Sequence, residues 1–435
     1  MVTLRSYQVD AVNAATRLLD RGGDPLIVHA TGAGKTVSMS ELVKRDVEKG
    51  GNVLILAHRV ELMAQIRNAL TSIKIHSIRD ITEWGSCNVV VTSPASVRRH
   101  LHNLPPEIFS LVIVDEAHHA VAGGHLRVIN HFRGGGARVA GFTATTDRLD
   151  GVGLSNVFDK VAHEYNIRDA VADGNLVPAR AIRVVVDGID LSKVRRVSRA
   201  YAKDRDLHPK DLGVAVMPAA AISGVVVPLL ELANARTVAP ANANTAPTNV
   251  NTTRTTTNVN TPTPTNVNIT RTTTNVNTYT GLRTIVFAVN ILHMKALCAA
   301  LVARGASARW VDGTMSKKSR ASVLADHQAG KFQFLVNVMI LTEGYNDPGV
   351  GCIAMVRPTQ SRILYAQATG RGLRLAPGKT ECLVLDFCGV SCDFVLVGPE
   401  DGLCGGLSGP VTRYKSKVLT KVVVKKSWWR RLLGF

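Results

Sequence analysis

The chain has 435 residues, 46% of them hydrophobic, enough for two cores of ordinary size. Its net charge of +19 favours a polyanionic partner, either nucleic acid or an anionic membrane surface. No apolar run reaches the roughly 18–20 residues that span a bilayer. The longest candidate, 225–233, is broken by Pro228 and Glu231, and the first residues lack a signal-peptide apolar segment, so a soluble cytoplasmic protein with no membrane partner is expected.

From residue 26 short apolar runs alternate with helical patterns. LIVH (26–29), NVLILA (52–57), NVVVT (88–92), LVIVDE (111–116) and RVAGFTAT (138–145) read as strands, and KTVSMSELVKRDVE after the first of them reads as a helix closed by Gly50 and Gly51. Continuous apolar strands between helices imply a parallel sheet covered on both faces. The pattern returns in RTIVFAV (283–289), SARWVD (307–312), QFLVNVM (333–339), CIAMV (352–356) and CLVLDF (382–387), with helices expected over 291–304, 316–329 and 361–370. The fold class is therefore α/β with two lobes. The expected units are a first lobe over 1–180, a partly helical connection over 181–238, an insertion over 239–281, a second lobe over 282–395 and a basic tail over 396–435.

The insertion is compositionally foreign. From Ala239 to Thr280 its charged residues are Arg254 and Arg271. TNVNTTRTTTNVNT at 248–261 recurs at 265–278 with one change, Thr252 for Ile269. Two copies without an apolar stripe do not make a solenoid, so a disordered insertion at the lobe junction is expected. The seven cysteines include a late group, Cys382, Cys388, Cys392 and Cys404, whose spacing fits reduced thiols better than a zinc site.

HATGAGKT (29–36) follows the first strand and opens a helix, which is where a phosphate cradle sits. Gly32 and Gly34 let backbone N–H groups approach phosphate oxygens, Lys35 would reach the β- and γ-phosphates, and the Thr36 hydroxyl would hold Mg²⁺. The first glycine of the general pattern is replaced by His29, and a plain Gly-rich turn is the alternative. VIVDEAHH (112–119) ends a buried strand in two acids. Asp115 is placed to bind Mg²⁺ and Glu116 to deprotonate the attacking water, against the alternative of an acidic turn. YAQATGRGLR (365–374) supplies Gln367, Arg371 and Arg374. Arginines from a second lobe can neutralise charge on a transferring phosphoryl group, or can simply line a solvated helix face.

Taken together and in this order, these stretches resemble a superfamily 2 helicase of the DEAD/DEAH-box class, with the phage and bacterial DNA repair and restriction-linked group the nearest in flavour. Tyr7-Gln8 resembles the Q motif, ATGAGKT motif I, AHRVELMAQ (57–65) motif Ia, and Asp115-Glu116-Ala117-His118 is a literal DEAH box. Thr143-Ala144-Thr145 resembles motif III, TIVFAV motif IV, LTEGYNDP (341–348) motif V, and Gln367-x-x-Gly370-Arg371-x-x-Arg374 motif VI. The resemblance implies two RecA-like lobes and the cofactors ATP and Mg²⁺. It places Gln8, Thr31, Gly32, Ala33, Gly34, Lys35 and Thr36 on ATP, and Thr36 and Asp115 on the metal. Lys35, Glu116, Gln367, Arg371 and Arg374 become catalytic, and Thr143, Thr145 and Gly344 couple the two sites. Arg59, Thr92 and Thr342 are implied to grip nucleic acid, DNA before RNA, through its phosphates. Motif V departs from the family in carrying Asn346 two residues after Gly344, with Asp347 beside it.

The end of the chain, 413–435, has eight Lys/Arg and no acid, with Trp428 and Trp429 adjacent. A nucleic-acid contact is favoured over a membrane-surface segment or a solvated tail. The expected function is an ATP-dependent helicase or translocase. The alternatives are a catalytically weak nucleic-acid clamp and the motor subunit of a restriction system.

Overall fold

Two sheets organise the molecule, and the chain returns to the second of them from three separate places. The structure, a computed structural model, describes residues 3–78, 89–144, 153–186, 189, 191, 193–198, 205–235, 281–342, 344–359, 361–387 and 412–415. The first lobe runs α1 (Ser6–Asp20), β1 (Pro25–His29), α2 (Lys35–Glu48), β2 (Val53–Leu56), α3 (Val60–Ala69), β3 (Ile75–His76), β4 (Val89–Thr92), α4 (Pro94–His100), β5 (Leu111–Asp115), α5 (Gly123–Gly134), β6 (Arg138–Thr143) and β7 (Lys160–Tyr165). Its strands pair in parallel in the order β3-β4-β2-β5-β6-β1-β7.

Every residue of β1, β2, β4 and β5 is buried. Helices cover both faces, so these strands read as unbroken apolar runs rather than as alternating ones. The two-residue period persists inside the core. Leu26 and Val28 face one apolar cluster, while Ile27 between them faces the other. Local signals set the helix ends. Ser93 accepts the Ser96 N–H ahead of Pro94 at the start of α4, and Gly34 in the left-handed region opens α2.

The second lobe begins earlier than expected. After α6 (Ile167–Ala172) come β8 (Ala179–Val185), the hairpin β9 (Arg196–Ser198) and β10 (Arg205–Leu207), then α7 (Pro209–Val216) and α8 (Ala219–Asn234). They are followed by β11 (Thr284–Phe287), α9 (Ile291–Val302), β12 (Ala308–Val311), α10 (Lys317–Gln328), β13 (Phe334–Asn337), β14 (Cys352–Met355), α11 (Arg362–Thr369), β15 (Cys382–Asp386) and β16 (Thr412–Lys415). The sheet order is β12-β13-β11-β14-β15-β8-β16, again parallel throughout.

Three expectations are corrected by this topology. The stretch 181–238 is not a connection, because β8 is a strand of the second sheet and α8 packs Ile222, Val225, Val226 and Leu229 into its core with Val286, Leu297 and Leu385. Strand β8 is cryptic in sequence because Arg180 and Arg183 interrupt it. Arg180 pairs with Glu381 (2.7 Å), just ahead of the neighbouring strand β15, and Arg183 lies 3.6 Å from Asp386 at the end of that strand. The tail over 396–435 is not purely a tail, since Thr412–Lys415 forms the outermost strand beside β8. The insertion does not mark the lobe junction. Its flanks both lie in the second lobe, where Leu282 N–H donates to Ala233 O (2.9 Å) and Gln333 Nε2 donates to Asn234 Oδ1 (2.7 Å). The expected disorder of 239–280 concerns residues outside the described ones. The change of sheet falls between β7 and β8.

Among the described residues no single helix is long and apolar enough to cross a membrane. Cys298, Cys352 and Cys382 are buried free thiols. Cys388, Cys392 and Cys404 lie outside the described residues.

Candidate active site

The loop after β1 is shaped by two glycines and braced from α1. Gly32 has φ +92° and Gly34 φ +76°, a region that costs a residue with a Cβ. Gln8 lies against the loop, so a Cβ at Gly34 would sit 2.5 Å from its Nε2. The Tyr7 hydroxyl donates to Ala33 O (2.5 Å) and Gln8 Nε2 to Gly34 O (3.4 Å). Tyr7 in turn stacks on Tyr165, ring centroids 3.8 Å apart and 10° from parallel. The amides of the first turn of α2 have no intrahelical partner, so the loop offers donors and a positive helix end in one place. The sequence anomaly at His29 has a packing explanation. Its ring is fully buried at the end of β1 with its edge toward Tyr7 and Tyr165, and burial, helped by His163 and Lys35, lowers its pKa to about 3.

The acids of β5 meet this loop. Lys35 Nζ lies 2.6 Å from Glu116 Oε1 and 3.5 Å from Asp115 Oδ1. Both carboxylates are almost wholly buried. Burial pushes the Asp115 carboxyl upward, and the Lys35 charge pulls it back. Glu116 has φ 50° and ψ 56°, a left-handed conformation that costs a non-glycine residue about 1–2 kcal/mol. That local strain is imposed where β5 must turn sharply to present consecutive acids at its C-terminal edge. His118 Nδ1 lies 3.4 Å from Glu116 Oε2 and 3.4 Å from Thr143 Oγ1, so the DEAH box and the first threonine of motif III share one contact chain. Thr145 lies outside the described residues.

The second lobe closes over the same loop. A Cβ at Gly370 would lie 2.7 Å from Thr31 Cβ, and one at Gly32 would lie 3.1 Å from Arg374 Cγ and 3.2 Å from Leu176 Cδ2. Val177 N–H donates to Leu373 O (2.8 Å), fastening the segment ahead of β8 to motif VI. The two arginines differ in employment. Arg371 is buried and donates through Nε to Thr342 O (3.0 Å), through Nη2 to the same oxygen (2.5 Å) and through Nη1 to Tyr345 O (3.0 Å). Arg374 donates through Nη1 to Tyr345 O (3.0 Å) while its stem flanks the phosphate loop. Burial, then the neighbouring Arg371 charge, lowers its pKa to about 9, and it stays cationic at neutral pH. Gln367 is buried, and its Nε2 has no hydrogen-bond partner among the described residues.

The residues expected to grip nucleic acid are arranged otherwise than as a row of open contacts. Arg59 Nη1 donates to Ile340 O (2.8 Å), and Gln65 Nε2 donates to Gly344 O, so α3 docks on motif V of the other lobe. Thr342 is buried with its hydroxyl on Met339 O (2.9 Å), and Thr92 is buried at the end of β4. Gly344 has φ +78° at the motif V turn. Asn346 is exposed, whereas the adjacent Asp347 is buried and pairs with Arg283 (3.0 Å).

Residues 1–148 match the family described as type III restriction enzyme, res subunit, and residues 268–376 match the helicase conserved C-terminal domain. The chain therefore joins a region of the restriction-enzyme res-subunit type to a helicase C-terminal domain. The chain is similar to IRC3 of Saccharomyces cerevisiae, provisionally named an ATP-dependent helicase, with 28% identity over 91% of the chain and 53% of the relative. The mitochondrial protein of the same provisional name from Schizosaccharomyces pombe shares 30% identity over 88% of the chain and 57% of its own length. The chain thus spans little more than half the length of these relatives. All of it superposes on 32% of LlaBIII, an ATP-dependent type ISP restriction-modification enzyme in a structure bound to DNA, with a TM-score of 0.61 and 14% identity.

Several parts of the site carry no signal in the sequence. Tyr165 and Val177 lie on segments too short and too polar to stand out by periodicity. Tyr345 acts through its carbonyl, which no residue pattern encodes. Gln65 stood inside AHRVELMAQ without an assigned role, and only the lobe contact gives it one.

Proposed function

We propose that the chain is an ATP-hydrolysing motor that moves along or separates nucleic acid, DNA in preference to RNA. The observation that carries this reading is the pairing of Lys35 with Glu116 at 2.6 Å beside Asp115, with the stem of Arg374 packed against Gly32 of the same loop. Without nucleotide, Lys35 pairs with Glu116 and lies beside Asp115. With the β- and γ-phosphates in the loop, Lys35 would turn to them and leave Glu116 to orient and deprotonate water. Arg374, placed beside Gly32 by lobe contact, would offset charge on the phosphoryl group, so hydrolysis would require the lobes to be together. Gln8 and Tyr7 would fix the loop beneath the nucleotide.

A magnesium ion fits the donor set. Asp115 is a buried carboxylate whose ionised form a cation would favour, and Thr36 follows Lys35 at the opening of α2, both supplying hard oxygen ligands. Bound there with ATP, Mg²⁺ supplies charge neutralisation at the β- and γ-phosphates.

Docking of Arg59 and Gln65 on motif V supports coupling, because α3 would report nucleic acid to the turn whose Tyr345 carbonyl holds both motif VI arginines. A strand drawn over both lobes would contact the ends of β4 and motif V near Thr92 and Thr342. The DNA preference draws on the DNA-bound LlaBIII relative and on the restriction family matched by the first lobe. That family match also favours a second reading, a motor subunit serving a partner nuclease. The test is steady-state hydrolysis with and without single-stranded DNA. Lys35→Ala and Glu116→Gln are expected to lower turnover by about 10²–10³-fold or more. Unchanged turnover in Glu116→Gln removes the assignment.

A further inference from the structure

Lys379 lies five residues past Arg374 in the turn that leads to β15, and no motif claims it. Its ammonium nitrogen donates to four backbone carbonyls: Pro348 (3.1 Å), Val350 (2.7 Å), Gly372 (2.5 Å) and Arg374 (2.9 Å). Two of these belong to the segment running out of motif V and two to motif VI. An ammonium has three protons, so four acceptors share a saturated donor. A lysine whose only task is solubility keeps its head in water. Here burial lowers the Lys379 pKa, and carbonyl dipoles take the place of the lost hydration.

The same two segments are tied a second time from the other side. Arg374 Nη1 and Arg371 Nη1 both donate to Tyr345 O. Tyr345 is itself fixed, because its hydroxyl contacts His327 Nδ1 (2.9 Å) and donates to Asp347 Oδ2 (3.2 Å), and Asp347 pairs with Arg283. Arg374 therefore has its guanidinium anchored through Tyr345 and its backbone carbonyl anchored through Lys379. Removing either tie leaves its stem free to shift relative to Gly32.

We infer that Lys379 is a positioning residue, whose ammonium clips the carbonyls of Gly372 and Arg374 to those of Pro348 and Val350 and thereby fixes Arg374 against the phosphate loop. The inference rests on the ATP-hydrolysing reading of the site. Methionine matches the lysine stem without its charge, and arginine carries the charge in a planar fork that does not fit a four-carbonyl cage. Lys379→Met is expected to lower kcat by about 10–100-fold, as small misplacements of catalytic groups do, with the KM for ATP and the affinity for single-stranded DNA within twofold. Lys379→Arg is expected to recover only part of the loss. Because Lys379 acts through Arg374, the double variant Lys379→Met/Arg374→Ala is expected to be no slower than Arg374→Ala alone. Multiplying losses in the double variant, or a Lys379→Met enzyme with parental kcat, overturns the inference. Amide hydrogen exchange on the nucleotide-free full chain reads the clip without turnover. Lys379→Met should quicken exchange in 349–352 and 371–375 and leave 26–56 unchanged, and unaltered exchange overturns the clip. A parent chain that hydrolyses no ATP removes the functional reading instead, and the exchange result then decides the clip alone.

Discussion

The two lobes carry parallel sheets of equal strand number among the described residues, yet they are assembled in opposite ways. The first sheet is drawn from one run of chain, β1 to β7. The second takes β8 from before the Thr/Asn insertion, β11 to β15 from after it, and β16 from the basic end. Their strand edges also differ in chemistry. The first presents side-chain charge, Lys35 against Asp115 and Glu116. The second presents arginines held by main-chain carbonyls of Thr342 and Tyr345. A cluster made of side chains is written in residue types, whereas one held by main-chain carbonyls is written in backbone geometry.

The contrast can be broken most severely by cutting the chain. A fragment of residues 1–166 keeps every strand of the first sheet and is expected to melt cooperatively. A fragment of 282–435 is expected not to fold, because it lacks β8 and α8. Ile222, Val225, Val226 and Leu229 alone bury about 1.5–3 kcal/mol each, comparable in sum to the whole stability of a domain. Restoring 179–235 to that fragment should restore a cooperative transition by circular dichroism. A folded 282–435 fragment would mean that the second lobe does not need its early strand.

Acid should separate the lobes less drastically. In the first lobe burial lowers the pKa of His29 to about 3 and of His125 to about 4, with His163 also lowered, whereas in the second lobe His293 is lowered to about 3. A histidine held neutral by burial contributes its full stability above the unfolded value near 6.5 and loses it as pH falls toward the folded value. His29, His125 and His293 should each cost about 1 kcal/mol by pH 5.5. Denaturant titrations at pH 7.5 and 5.5 should therefore show the first lobe destabilised more than the second. Equal loss in both would contradict the burial assigned to His125, since His29 and His293 offset each other in the comparison.

The smallest effect is expected where the sequence looks strangest. The flanks of the insertion are already joined through Ala233 and Leu282. Replacing 236–280 by a short Gly/Ser turn should shift stability by less than about 1 kcal/mol, since closure entropy grows only logarithmically with loop length. Loss of nucleic-acid stimulation in a folded deletion variant would make the insertion part of the grip.

Much of this was readable in advance, and the reasons are specific. The strands of both cores announced themselves because a doubly covered strand is apolar along its length, as in Leu111–Asp115 and Cys382–Asp386. The phosphate loop and the acids were legible because their chemistry needs particular side chains at fixed spacing. The lobe boundary was misread because an insertion of foreign composition looks like a border, although chain continuity and sheet membership are independent. Strand β8 is not legible because Arg180 and Arg183 find their carboxylates on or beside the neighbouring strand β15, about 200 positions away in the sequence. Arg59 was read as a phosphate contact from its motif, while its guanidinium lies on a carbonyl of the opposite lobe, a partner 281 positions away.

We propose that Lys35, Glu116 and the apposed motif VI make one hydrolytic site governed by nucleic acid. Steady-state ATP hydrolysis by the full chain, alone and with single-stranded DNA, duplex DNA, forked DNA or RNA, tests it most directly. The account predicts slow basal turnover, strong stimulation by DNA exceeding that by RNA, and loss of both rates in Glu116→Gln. Nucleic-acid binding with no hydrolysis on any of these substrates would contradict it and leave a clamp in place of a motor.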